Sequence, residues 1–262
     1  MSAKPTVLIT GASSGIGAVY ADRFAHRGHD LVLAARDLGR LDALAARLRS
    51  QTGVSVETAR ADLTDPDDLA RIETWLRNDA TIGVLVNNAG AALSGGFLDQ
   101  GGADVAGLIA LNVTAVTRLA AAVAPRFAAA GEGAIINIGS VVGLAPELGM
   151  TVYGATKAFV LYLTQGLNLE LGPKGVYAQA VLPAATRTEI WARSGRDVNA
   201  LAGVMDVEEL VDAALVGFDR RETITIPPLP EDDQWAAFEA ARVAMLPNFR
   251  QEHRAARYRA AA

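Results

Sequence analysis

The sequence predicts an α/β fold, a parallel sheet of about seven strands covered by helices on both faces. Two patterns carry that expectation. Short apolar runs rich in β-branched residues alternate along the chain with longer segments of helical period. Most of these runs are continuously apolar rather than alternating, as strands buried on both faces are. The composition agrees, because 51% hydrophobic and 20% charged residues with only 6% aromatic give an alanine-rich, helix-covered core. At 262 residues, one α/β domain built on a single sheet is the expected organisation.

Strands are expected near residues 6–10, 30–35, 54–59, 82–87, 133–139, 176–182 and 222–226, with helices between most successive pairs. The best-marked helix start is Asp65-Pro66-Asp67-Asp68. It offers a capping Asp, a proline at the first helical position, and acidic residues in the first turn, where the macrodipole favours them. Gly53, Gly131, Gly133 and Gly172-Pro173 stand where helices should stop. After residue 226 the run Pro227-Pro228-Leu229-Pro230 breaks the pattern, and 231–246 reads as one more helix outside the sheet. The expected domain spans 1–262, with a C-terminal helical extension from about residue 227.

Several function classes are excluded early. Lys and Arg number 24 against 29 Asp and Glu, with no basic stripe, so a nucleic-acid partner has no electrostatic support. Cysteine is absent and His26, His29 and His253 have no ligand spacing, which removes disulfides, thiolate chemistry and a metal centre. The apolar start at Thr6-Val7-Leu8-Ile9 is too short for a signal peptide, and no uncharged apolar run elsewhere reaches bilayer-spanning length. A cytoplasmic protein with a small-molecule partner and no membrane contact is expected.

After the first strand comes Thr10-Gly11-Ala12-Ser13-Ser14-Gly15-Ile16-Gly17, opening into a helical stretch. Glycines there let the backbone turn tightly and approach a pyrophosphate, whose charge the amides of a helix N-terminus meet. The spacing is not G-x-G-x-x-G, and a glycine-rich turn alone is a weak signal. Further along, Tyr153-Gly154-Ala155-Thr156-Lys157 places a phenol and an ammonium four residues apart, on one face of a helix. A free tyrosine, with a pKa of about 10, is a poor proton donor and acceptor at neutral pH unless a nearby positive charge favours its phenolate. Ser140 closes the apolar fifth strand, in the crevice where open α/β sheets bind ligands. Asn112 lies inside a long helical segment, where asparagine is a poor former.

The TGxxxGIG pattern, together with Asn87-Asn88-Ala89-Gly90 at the end of the fourth strand, resembles the short-chain dehydrogenase/reductase family, over nearly the whole span 7–226. The thirteen residues from Ser140 to Tyr153 resemble the family spacing as well. The resemblance implies a Rossmann-type doubly wound sheet and a nicotinamide cofactor held by Gly11, Ser13, Ser14, Gly15, Ile16 and Gly17. It implies that Asn88, Ala89 and Gly90 steady the sheet and line the adenosine side. It also implies that Asp62, assisted by the backbone of Leu63, accepts from the adenine amino group, Asp65 already serving as helix cap. Asn112 would bend its helix and hold a water linking Lys157 to solvent. The segment Pro183-Ala184-Ala185-Thr186-Arg187-Thr188 resembles the family's nicotinamide-binding P-G-x-V-x-T but departs from it at Ala184 and Thr186. Pro183, Thr186 and Thr188 are kept as cofactor contacts.

The second strand ends Leu33-Ala34-Ala35-Arg36-Asp37. An NAD enzyme would place an acid at the strand tip; here Ala35 aligns with that position and Arg36 with the next, which suits a 2′-phosphate. NADP is expected, and Asp37 keeps NAD as the alternative if the register is off by about two. The expected reaction interconverts a carbonyl and an alcohol by hydride transfer. Tyr153 protonates the oxygen, Ser140 orients it, Lys157 lowers the tyrosine pKa and holds the ribose, and Asn112 completes the relay. Loops at 141–150 and 189–205 carry Leu144, Leu148, Met150, Trp191, Val204 and Met205, which favours an apolar ketone or aldehyde; the second loop has the makings of a mobile lid. A 3-oxoacyl-thioester substrate, met by Arg187, Arg193 and Arg196, is the enzymatic alternative; a catalytically silent NADP-binding sensor or scaffold is the alternative from another class. The resemblance further implies a homodimer or homotetramer built on the helices carrying Asn112 and Tyr153.

Overall fold

The computed structural model describes residues 4–195 and 197–259, apart from the Arg193 side chain. The order begins β1 (Thr6–Thr10), α1 (Gly15–His26), β2 (Leu31–Ala35), α2 (Leu38–Thr52), β3 (Val56–Arg60), α3 (Pro66–Asn78) and β4 (Ile82–Asn87). It continues through α4 (Gly102–Ile109), a π-helical turn (Ala110–Ala115), α5 (Val116–Ala130), β5 (Gly133–Ile138), α6 (Thr151–Leu171) and β6 (Val176–Val181). A short α7 (Ile190–Arg193), then α8 (Val207–Asp219), β7 (Ile224–Thr225) and α9 (Asp232–Ala244) complete it. The seven strands form one sheet in the order β3-β2-β1-β4-β5-β6-β7, with every pairing parallel. The strand order reverses between β1 and β4, which is where such sheets open a ligand crevice.

Both faces of the sheet are apolar, as the continuous runs require. Val7 and Ile9 point into one core cluster with Tyr20 and Phe24 of α1, Leu41 of α2 and Leu210 of α8. Leu8, between them, joins the opposite cluster with Leu76 of α3 and Leu119, Val123 and Phe127 of α5. The helix running from Gly102 to Ala130 is long and apolar enough to cross a membrane by length and composition. Asp104 and Arg118 interrupt its apolar run, and that apolarity is used in the second cluster, while Arg118 pairs with the buried Glu73 of α3.

Element boundaries agree with the sequence at β1 and β4 and fall within two residues at β2, β3, β5 and β6. The last strand is shorter than expected, two residues instead of 222–226, because the amides of Arg221 and Glu222 are bonded back to Phe218 and Gly217 in the turn that ends α8. Asp65 caps α3, accepting from the amides of Asp67 and Asp68 at 3.0 Å each. The chain divides into two compact units at Pro228. In the second, α9 spans 232–244 and buries none of its residues, although Trp235 stacks on Phe238.

At the switch point the end of β4 is sewn to the end of β1. The Thr10 hydroxyl accepts the backbone N–H groups of Asn88 and Ala89, both at 3.0 Å. The Asn88 amide donates to the Thr10 and Gly11 carbonyls at 2.8 and 3.2 Å. This junction leaves no room for a side chain at Gly17, where a Cβ would overlap Asn88 Nδ2 and the Gly11 carbonyl oxygen. Gly17, expected among the cofactor contacts, is therefore absent from the cleft lining and serves close packing of α1 on the strand ends. Gly17→Ala should cost about 1–3 kcal/mol of stability through overpacking. A urea midpoint equal to that of the wild type would show that the junction can relax.

Candidate active site

A cleft of about 530 Å³ lies along the carboxyl ends of β1, β2, β4, β5 and β6. Its wall includes Gly11, Ser13, Ser14, Gly15, Ile16, Arg36, Asp62, Leu63, Asn88, Ala89 and Gly90, and farther along Ser140, Tyr153, Lys157, Pro183, Thr186 and Thr188. Of the expected site residues, only Gly17 and Asn112 are outside that wall.

The glycine-rich turn is shaped to receive an anion. Gly11 and Gly15 have φ of +66° and +54°, and a Cβ on Gly11 would meet Ala89 Cα at 2.8 Å. Ser14 stands at the N-cap of α1 without making a side-chain cap hydrogen bond. A helix N-terminus left in this state offers amides and a positive dipole end to a phosphate. At the tip of β2, Arg36 is exposed on the cleft and, among the described residues, makes no hydrogen bond or ion pair. Asp37 is engaged elsewhere, capping α2 through the Arg40 amide at 3.0 Å. The register that would make Asp37 the ribose ligand therefore has the weaker claim. Asp62 accepts from the Thr64 amide and hydroxyl at 3.0 and 2.7 Å. Burial works to raise its pKa, but those two bonds and the nearby Arg36 charge outweigh it and hold the carboxyl below its ordinary value. It is an acceptor, as an adenine amino group requires.

The candidate catalytic side chains meet between β5 and α6. Ser140 caps a 3₁₀ turn at Val141–Gly143; its hydroxyl accepts from the Val142 amide and donates to the Pro183 carbonyl, both at 3.2 Å. Tyr153 and Lys157 share a face of α6, with the ammonium 5.6 Å from the phenol ring centroid. Lys157 is buried and donates to the Ile138 carbonyl at 2.8 Å. Burial disfavours its charge and lowers its pKa to about 8. Burial also pushes Tyr153 up to about 12, against the pull of the Ser140 hydroxyl. In the cofactor-free protein the phenol is thus a proton donor. A core ladder sets α6 in register, since the Asn87 amide donates to Asn137 at 3.0 Å and the Asn137 amide to Thr164 of α6 at 2.9 Å.

Asn112 lies behind this wall, in the π-helical turn, where the sequence gives only a misplaced polar residue as a signal. Its Oδ1 accepts from the Ala91 amide at 3.0 Å, and its two N–H donors go to the Ala91 carbonyl and the Thr156 hydroxyl at 3.0 and 3.1 Å. Both donors are engaged, so the side chain ties the Ala91 backbone to α6 and keeps no N–H for a water. Gly90 separates it from Lys157; a Cβ there would lie 3.3 Å from Asn112 Oδ1 and 3.5 Å from Lys157 Nζ.

Beyond Pro183 the chain forms a backbone bridge that the sequence does not reveal. Thr186 bridges Met205, with the Met205 amide bonded to Ala185 and the Arg187 amide to Met205. Thr188 reaches back to the glycine-rich turn, its Cγ2 3.3 Å from where a Gly15 Cβ would be. Trp191 donates from its indole N–H to the Thr186 carbonyl at 2.7 Å and forms part of the cleft wall. Leu148 and Met150 line the same half, whereas Leu144, Val204 and Met205 do not, and Met205 packs on the core. Met150 adopts left-handed φ and ψ of 60° and 48° at the start of α6. Arg187 is exposed and donates to Asn199 at 3.0 Å. Arg196 and the Arg193 side chain lie outside the described residues.

A protonated phenol and a buried ammonium beside a turn that could hold a nucleotide form an arrangement suited to nucleotide-dependent oxidoreduction. Residues 5–199 match the short chain dehydrogenase family. The chain belongs to that family. A short-chain dehydrogenase from Sphingobium yanoikuyae, solved in complex with NADPH, is 68% identical and superposes with a TM-score of 0.96, over 97% of this chain and 100% of that one. The bulky-bulky ketone specific alcohol dehydrogenase from Comamonas testosteroni is 60% identical, with a TM-score of 0.92 over 98% and 99% of the two chains. Among curated proteins, the very-long-chain 3-oxoacyl-CoA reductase-B of Danio rerio is 35% identical over 187 residues, 70% of this chain. The match spans 60% of that protein's length.

The two shifted groups predict a pH profile. Because kcat/KM for the cofactor reports the free enzyme's ionisations, reduction should hold steady through neutral pH. It should fall as pH rises through about 8, where Lys157 loses its proton, while Tyr153 keeps its own to about 12. A profile that climbs through pH 8 would assign the active form to neutral Lys157 and overturn this reading.

Proposed function

We propose that the protein reduces bulky, uncharged ketones to secondary alcohols at the expense of NADPH. The observation that carries the reading is the polarity of the cleft, which has a free arginine at one end and an apolar wall of Leu148, Met150 and Trp191 at the other. The reductase direction is part of the proposal, and a Tyr153 protonated in the resting protein is the donor that direction uses. The solved relatives support both halves, one holding NADPH and the other specific for ketones with two large substituents.

The residues fit a dinucleotide. Gly11 to Ile16 and the α1 amides would take the pyrophosphate, Arg36 the 2′-phosphate, Asp62 with Leu63 the adenine, and Asn88 to Gly90 the adenosine side. Lys157 would hold the nicotinamide ribose, with Pro183, Thr186 and Thr188 beside the nicotinamide. When bound, NADPH supplies the hydride. Ser140 holds the carbonyl oxygen through its hydroxyl and polarises it. Tyr153 donates its proton to that oxygen as charge develops there, and the Lys157 ammonium stabilises the phenolate left behind. Asn112 keeps Ala91 and α6 in register so that these groups meet. A homodimer or homotetramer completes the reading, supported by Tyr162 and Leu169 of α6, each 80% exposed.

A 3-oxoacyl thioester is the second reading, favoured by the curated relatives. Against it, Arg187 is engaged with Asn199 instead of facing the cleft. A panel of aryl and dialkyl ketones beside acyl thioesters, followed by NADPH absorbance, separates the two; turnover confined to thioesters would refute the ketone assignment. In the same assay Tyr153→Phe should lose at least about a hundredfold in kcat, the scale of a positioned acid–base group, while still binding NADPH. Near-normal turnover would remove Tyr153 from its role.

Cofactor choice is decided at Arg36. A guanidinium forks onto a phosphate with several charge-assisted bonds, whereas NADH offers it only hydroxyls. One such contact contributes about 1.5–3 kcal/mol, so Arg36→Ala should weaken NADPH relative to NADH by about one to two orders of magnitude. A wild type that prefers NADH, or a ratio unmoved by the substitution, sinks the NADP assignment.

A further inference from the structure

The 189–205 segment is fixed to its own base by Trp191 and by the Thr186–Met205 bridge. A second tie comes from across the cleft mouth. Arg40, in the first turn of α2 on the adenosine side, donates from Nη1 to both carboxylate oxygens of Glu189 at 2.7 and 2.9 Å. Glu189 lines the cleft, directly follows Thr188 and immediately precedes α7. The two residues are 149 positions apart, so the bond joins elements that no local structure holds together. Asp37 steadies the arginine from behind, 3.4 Å from its Nε.

We propose that Arg40 and Glu189 form a positioning clasp, an ion pair that holds the 186–205 segment closed over the cofactor and substrate. The clasp rests on the reading of the cleft as a site for NADPH and ketone. Each partner is anchored without the other: α2 is capped by Asp37, and Thr188 is seated against Gly15. Breaking the pair therefore frees the segment rather than the fold. The side chains are 50% and 46% exposed, so the attraction is modest and salt weakens it. A modest bond suits a lid, which must open each cycle to release product. Arg40 lies four residues along the chain from Arg36, and Glu189 lines the cleft with Trp191, so the clasp links the element after the proposed 2′-phosphate site to the apolar wall.

The test uses Arg40→Gln, Glu189→Gln and the exchanged pair Arg40→Glu with Glu189→Arg. Amide hydrogen exchange of residues 186–205 is measured on the cofactor-free protein, and NADPH dissociation by stopped-flow fluorescence. Each single variant should speed exchange in that segment and NADPH release about three- to fivefold, the scale of an exposed ion pair. Ketone KM should rise with kcat little changed, melting temperature should hold, and the exchanged pair should recover both rates. About 0.5 M NaCl should reproduce the effect in the wild type but not in Glu189→Gln. Unchanged exchange in both single variants overturns the clasp. Faster exchange with unaltered NADPH release and KM overturns its positioning role. Exchange needs neither ligand, so failure to bind NADPH or reduce ketone refutes the proposed function while the clasp is still decided.

Discussion

At the carboxyl ends of β1 and β4, four hydrogen bonds among Thr10, Gly11, Asn88 and Ala89 hold two parallel strands at the point where the sheet changes direction. Strands there have run out of ladder partners, and an unpaired backbone group in a buried crevice is costly. The Thr10 hydroxyl and the Asn88 amide fill that need, and the glycine-rich turn is fixed by the same bonds. Its shape then excludes side chains, at Gly11 because of Ala89 and at Gly17 because of Asn88. The α1 N-terminus is left facing open space with its first amides uncapped by Ser14. The anion cradle is thus a by-product of how the core is closed.

From the neighbouring Asn87 a second consequence runs the other way. The buried Asn87–Asn137–Thr164 ladder crosses from β4 through β5 to α6. Polar groups in a core are tolerated when paired and define one register where an apolar core would allow several. Here the register places Tyr153 and Lys157 opposite Ser140. The Asn87 Oδ1 at the end of the ladder is buried without a partner, which is consistent with geometry being held at some expense in stability. Lys157 shows the same tension, since its ammonium is buried with one carbonyl acceptor and its affinity for the proton is reduced to the neighbourhood of neutral pH.

The legibility of these features in the sequence follows physical range. Strands buried on both faces read as continuous apolar runs, so β1 and β4 can be placed to the residue, and α3 is announced by its Asp-Pro start. The cleft residues are legible through the resemblance of TGxxxGIG, Asn87-Asn88-Ala89-Gly90 and the Ser140–Tyr153 spacing to a known family, since a glycine-rich turn or a tyrosine–lysine pair by itself is a weak signal. What escapes is non-local. Nothing in Gly17 itself says that Asn88, distant in sequence, will lie against it. The π-helical turn at Ala110–Ala115 arises from the fit of one helix against α6 and the Ala91 backbone, so in the sequence Asn112 looks merely misplaced. The Arg40–Glu189 pair is invisible there because surface charges carry no periodic signal. Met150 gives no warning of its left-handed backbone, a state that side chains usually avoid.

The two ends of the cleft therefore obey different rules of recognition. At the end of the cleft proposed for adenosine the charge of Arg36 is exposed, so a phosphate could reach it without either group being stripped of much water, and selectivity there would come from the number of donors aligned on it. At the catalytic end the wall is apolar and the polar groups are few and already hydrogen-bonded, so selectivity there is a matter of shape and excluded water. Shape in this half rests on short segments whose conformations are held by a few bonds, the Trp191 indole to Thr186 and the two backbone bonds of the Thr186–Met205 bridge. Such segments can be redrawn by a few substitutions without disturbing the sheet, the cradle or the Ser140–Tyr153–Lys157 group. Under the proposed function the hydride chemistry is tied to the core, and the substrate range is tied to the rim.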